Sequence, residues 1–107
     1  MHLYVKKVYY ISKSFPKDER YGVTSQLRRS AMSVILNYIE GYARRRGEDC
    51  KTYKNFLEIS YGSLKESKYL LYFSYTEKYI DENKYNELMA LSEEIGKMLW
   101  SVITRNI

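Results

Sequence analysis

Proline occurs once in this chain, at Pro16, and glycine five times in 107 residues. A sandwich or barrel of short strands needs turn residues about every 8–12 positions, so breakers this sparse exclude it. Long uninterrupted stretches remain, and helices fill them. A proline is tolerated in the first turn of a helix and breaks its interior. Ser14-Phe15-Pro16-Lys17 therefore ends one helix and opens the next. Gly22 loosens that opening turn, so the regular part of the second helix starts near Thr24. The run Arg44-Arg45-Arg46-Gly47 suits a last helical turn followed by a C′ glycine, and Asp49 suits the N-cap of a third helix. Asp81 caps a fourth, with Ile80 and Tyr85 placed as a hydrophobic staple. The spacing predicts helices over about 2–14, 17–46, 50–79 and 82–105. Connections this short join antiparallel neighbours, so the expected fold is all-α, an up-down antiparallel four-helix bundle in a single domain over 1–107.

Apolar residues recur at spacings of three and four in each long segment. Leu27, Ala31, Val34, Ile35, Tyr38 and Tyr42 mark the second helix. Tyr53, Phe56, Leu57, Leu64, Leu71 and Tyr75 mark the third, and Leu88, Leu91, Ile95, Met98, Leu99 and Val102 the fourth. In the second helix the apolar arc widens through Ile39, Met32 and Leu36 to roughly 200°, about twice what one core requires. A helix this apolar is expected to be covered on two sides, the second by another subunit. Opposite the arc, Gln26, Ser30, Ser33, Asn37, Glu40 and Arg44 form a polar stripe, favoured as structural rather than catalytic. The third helix carries Ser60, Gly62, Ser63, Ser67 and Ser74, small residues that permit close helix approach.

The composition, 45% apolar and 29% charged, is that of a globular protein. One cysteine excludes a disulfide framework, no apolar run reaches the roughly 20 residues of a bilayer span, and Met1 to Tyr10 has no signal-peptide core. A cytoplasmic protein with no membrane partner is the expectation. The net charge of +5 is uneven: residues 1–54 hold twelve Lys/Arg against five Asp/Glu, and residues 55–107 six against eight. Such asymmetry points to an anionic partner, or simply to solubility.

Enzyme chemistry finds little support. His2 is the only histidine. Cys50 has no histidine base, and at a helix N-terminus it reads as incidental or as a weak redox candidate. The pairs Glu58/Glu66 and Glu93/Glu94 lack metal spacing, and a Glu40/Glu66 pair across two helices is the one conceivable acid site. No glycine-rich phosphate loop is present. The expectation is a non-enzymatic protein with no cofactor and no metal.

The run from Gln26 to Gly41 resembles the signature Q-L-R-R-A-A-x-S-[IV]-P-x-N-I-A-E-G of the 23S ribosomal-RNA intervening-sequence proteins. Phe15-Pro16…Glu19…Tyr21-Gly22 is similar to that family's F-P-x-x-E-x-Y-G, and Gly62-Ser63-Leu64-Lys65-Glu66 to its G-S-L-x-E. Ile35 replaces the family's proline, and Tyr38-Ile39 its Ile-Ala. The resemblance implies an antiparallel four-helix bundle and ring-like homo-oligomers, commonly pentamers. A related branch, the accessory proteins of diversity-generating retroelements, binds nucleic acid and a reverse transcriptase.

Two functions are weighed. The first is phosphate-led binding of nucleic acid, structured RNA in particular, through Arg28, Arg29, Arg44, Arg45, Arg46, Lys51 and Lys54, with Tyr42 and Tyr53 as stacking candidates. The second is a scaffold for a partner protein such as a reverse transcriptase.

Overall fold

The computed structural model describes residues 1–45 and 50–105, without the side chain of Cys50. The expected Arg46, the C′ glycine Gly47 and the N-cap Asp49 lie outside the described residues. Four helices form: α1 (His2–Ser12), α2 (Val23–Ala43), α3 (Cys50–Thr76) and α4 (Glu82–Arg105), with one 3-10 turn over Lys17–Glu19. They pack in sequence order around a square. α2 lies most closely on α3, α3 on α4, and α1 bridges α2 and α4. The molecule is 47 Å long and 24 by 18 Å across.

One seam on α3 organises the core. Leu57, Ser60, Leu64, Ser67, Leu71 and Ser74 follow one another at spacings of three and four, and all are buried. The leucines pack among Val8, Leu27, Ala31, Val34, Leu88, Ile95 and Leu99. The serines keep the helices close, and each hydroxyl is satisfied. Ser60 donates to the Val34 carbonyl of α2 at 2.6 Å, Ser67 to Leu64 O at 2.8 Å and Ser74 to Leu70 O at 2.7 Å. Ser33 and Ser63 join α2 to α3 at 2.7 Å, and the Asn37 amide donates to Ser33 O and Oγ, both at 2.9 Å. Close approach continues at Gly41, where an added Cβ would stand 3.1 Å from Phe56 Cβ. The expected polar stripe is thus structural along its middle: Ser30 is buried and bonded to Leu27 O, while Gln26 and Glu40 are exposed.

Three helices are shorter than their sequence pattern, whereas α4 keeps the expected bounds of 82 and 105. α1 stops at Ser12 rather than Ser14. The residue before a proline avoids helical backbone, and Phe15 turns inward onto the Tyr79 ring, 5.5 Å between centroids. Residues 17–22 take a 3-10 turn and a bend, so α2 starts at Val23, not at position 17, and it closes at Ala43, not at 46. α3 ends at Thr76 rather than 79. Its end is a Schellman motif without glycine: Lys78 adopts φ 65°, Tyr79 N donates to Ser74 O at 2.8 Å and Lys78 N to Tyr75 O at 3.0 Å. The Asp81 cap forms as expected, Oδ1 accepting from Lys84 N at 2.8 Å.

The wide apolar arc of α2 is covered on one side only within the chain. Leu27, Ala31 and Val34 are buried, whereas Leu36 and Ile39 remain 53% and 54% exposed. α1 runs beside this face of α2 without covering it. With Val5 and Tyr9 of α1, the residues Met32, Ile35, Leu36 and Ile39 line an open apolar groove.

Candidate nucleic-acid interface

The seven expected contact residues do not form one cluster. Arg28 lies on α2 and Arg44 just past its C-terminal end, 16 residues on and about 24 Å along the helix axis. They belong to opposite ends of the bundle.

At one end, where α2 passes to α3, Arg44 pairs with Glu40 one turn back and lies over the Phe56 ring at 4.9 Å. Arg45 lies over Tyr42, 3.7 Å from the ring centroid, and donates to its hydroxyl at 2.8 Å. Tyr42 in turn stacks on Tyr38 at 6.1 Å. Of the two expected stacking residues, Tyr42 is exposed and Tyr53 packs against the core. Lys51 is exposed, and Lys54 reaches Glu58 at 3.9 Å. Arg46 lies outside the described residues.

At the other end, Arg28 is tied to α1. Its Nε donates to Ser12 Oγ at 2.7 Å, its Nη2 to Tyr9 O at 3.4 Å, and its guanidinium covers the Tyr9 ring at 4.9 Å. Arg29 is exposed. Two adjoining clefts open here, of about 540 and 370 Å³. Both are lined by Arg20, Tyr21, Thr24 and Arg28. Lys13 and Lys17 complete one, and Arg29 completes the other. No carboxylate lines either cleft. Among the described residues, Lys13, Lys17, Arg20, Arg28 and Arg29 form no ion pair with a carboxylate. Tyr21, 87% exposed, has the Arg20 guanidinium over its ring at 5.8 Å. The sequence pattern missed Lys13, Lys17, Arg20 and Tyr21, because they are scattered over nine residues and only the α1–α2 corner gathers them.

Glu19 lines neither cleft, and its Oε1 lies beside Gly22 at the start of α2. Tyr79 Oη donates to its Oε2 at 2.9 Å, and that bond to a carboxylate raises the tyrosine pKa above its ordinary value. Phe15 and Glu19, two residues of the F-P-x-x-E motif, thus both hold Tyr79 and fix the corner that carries the cations.

The conceivable Glu40/Glu66 acid site does not form. Both carboxylates are exposed, and Glu40 is held by Arg44. Glu40 adjoins Gly41, which meets Phe56, and Glu66 is ten residues farther along α3, about 15 Å. Among the described residues, no group of three or more His, Cys, Asp or Glu side chains could hold a metal ion, and no helix is long and apolar enough to cross a membrane.

Comparison with known proteins agrees with this architecture. A crystal structure of a protein of unknown function from the S23 ribosomal protein family of Bacteroides thetaiotaomicron VPI-5482 superposes with a TM-score of 0.79. The alignment covers 94% of this chain and 88% of that one at 23% identity, a likeness of fold. No curated protein matches the sequence. The sequence profile of the 23S rRNA-intervening sequence proteins matches residues 1–101, which takes in all three motifs and most of α4, and the chain belongs to that family.

Proposed function

We propose that this protein binds nucleic acid, structured RNA in particular, as a non-enzymatic homo-oligomer that engages phosphates at both ends of the bundle. The observation that carries this reading is the set of arginines laid against exposed tyrosines: Arg45 on Tyr42, and Arg20 on Tyr21. A guanidinium held flat by an aromatic ring keeps free N–H donors for phosphate, and the ring edge remains open to a base. The exposed groove along Leu36 and Ile39 supports the oligomer, a ring-like pentamer being the form expected. Repetition around a ring would multiply a modest charge into a strong field.

The test is RNA binding by nuclease-treated protein across a salt titration. Affinity should fall along a straight log–log line with a slope of about 0.7 per single-strand phosphate contact. Replacing Arg44, Arg45 and Arg46 with alanine should lower both affinity and slope while helicity stays intact. Absence of binding at low salt refutes the reading.

A scaffold role for a partner protein is favoured by a separate observation. Tyr69 and Tyr72 of α3 and Met98 and Trp100 of α4 are large, apolar or aromatic, and exposed. A stoichiometric protein captured without nucleic acid would support that role.

A further inference from the structure

The basic corner between α1 and α2 contains a buried polar atom with no partner. Thr24 is only 8% exposed, lines both clefts, and its hydroxyl is the one buried side-chain polar atom among the described residues without a hydrogen bond. Buried polar groups are almost always satisfied, so such an orphan calls for a ligand or a water. The surroundings select the ligand. Five cations line the clefts without a carboxylate. Arg28 is already oriented: two of its five N–H donors are used on Ser12 and Tyr9, and Tyr9 holds its plane, which leaves three donors free.

We infer that this corner is a phosphate-binding subsite, in which Arg28 grips one RNA phosphate, the Thr24 hydroxyl joins it by turning about χ1 into the cleft its side chain lines, Lys13, Lys17 and Arg20 neutralise it, and Tyr21 stacks an adjacent unpaired base. This rests on the nucleic-acid reading for its ligand, whereas the phosphate grip itself stands on the corner alone. Preorganisation distinguishes this corner from the opposite end. There, Arg44 is occupied by Glu40 and Lys54 is near Glu58, so those two cations must first give up carboxylates.

Thr24→Val is the discriminating variant. Valine has the same shape and removes an unpartnered hydroxyl, so a purely structural threonine predicts an unchanged or higher melting temperature and unchanged binding. The subsite predicts an unchanged or higher melting temperature with about five-fold weaker binding of a short single-stranded RNA, close to the loss of one hydrogen bond. Lys17→Gln with Arg20→Gln, both exposed and outside the core, should lower affinity at least ten-fold and flatten the salt slope by about 1.4, the loss of two single-strand phosphate contacts. Amide NMR titrations with inorganic phosphate and with the same RNA locate the site, with Arg44→Ala/Arg45→Ala as the reference at the far end.

Shifts at residues 12–13 and 17–28 with both ligands, abolished by the variants, support the proposal. RNA that binds wild type and both corner variants equally, with shifts confined to 42–54, overturns the subsite and leaves nucleic-acid binding standing. Phosphate shifts at Thr24 and Arg28 with no RNA binding keep the grip and overturn the RNA ligand. No shift with either ligand overturns both.

Discussion

Removing the Ser67 hydroxyl should cost more than removing its partner, and the structure says by how much. Tyr4 is 1% exposed, and its hydroxyl lies 2.7 Å from Ser67 Oγ. Ser67 uses its single proton on Leu64 O at 2.8 Å, so Tyr4 must be the donor of the pair. Tyr4→Phe deletes one hydrogen bond and strands nothing, since Ser67 keeps its own donation. The cost should be about 1 kcal/mol, or roughly 4 °C in Tm for a chain of this size. Ser67→Ala leaves a phenol O–H in the core without an acceptor, and about 2–3 kcal/mol is expected. The double variant should recover to about the level of Tyr4→Phe alone. Urea melts at one fixed protein concentration read all three.

The same buried hydroxyl sets a pH signature. Burial pushes the Tyr4 hydroxyl up to about 12. A group whose pKa is raised by folding stabilises fully below its unfolded value, about 10, and loses that contribution as pH rises toward the folded value. Wild type should therefore lose about 2 kcal/mol by pH 12 that Tyr4→Phe does not lose. The two stabilities should cross near pH 11. If Ser67→Ala costs no more than Tyr4→Phe, or the difference between wild type and Tyr4→Phe is flat from pH 9 to 12, the donor assignment and the buried phenol are wrong.

Lys78→Gly should raise Tm by about 4 °C, because Lys78 holds φ 65° at the end of α3 and glycine relieves about 1 kcal/mol of left-handed strain. Gly41→Val should destabilise by about 2 kcal/mol, since its Cβ would meet Phe56 Cβ at 3.1 Å, whereas Gly62→Ala, with no atom within 4 Å, should stabilise by up to about 1 kcal/mol. Chemical melts compare both with wild type, and equal effects would refute the packing argument. Leu36→Glu should leave helicity unchanged and lower the mass measured by light scattering, because Leu36 is exposed on the apolar groove. An unchanged mass removes that groove from the proposed oligomer interface.

Helix number, order and topology were legible in the chain because they depend on local chemistry. One proline, the Asp81 cap and periodic leucines act within a few residues of themselves. The ends of helices were less legible. α3 stops at a lysine in the left-handed region, a position the residue type gives no sign of, and α1 stops early because Phe15 finds Tyr79, 64 residues away in sequence. The polar stripe of α2 was visible as a pattern, yet which hydroxyl meets Ser63 and which faces solvent depends on where α3 lies. The proposed binding site shows the same division. The excess of arginine and lysine in residues 1–54 is a property of the sequence. Its partition into two ends about 24 Å apart is not. Arg28 looked equivalent to Arg44 until α1 folded back to supply Ser12 and Tyr9 on one side, while Glu40 bound Arg44 on the other. Composition fixes how much charge a chain carries. Only packing decides which charges are held in place, which are neutralised, and which are left facing a cleft.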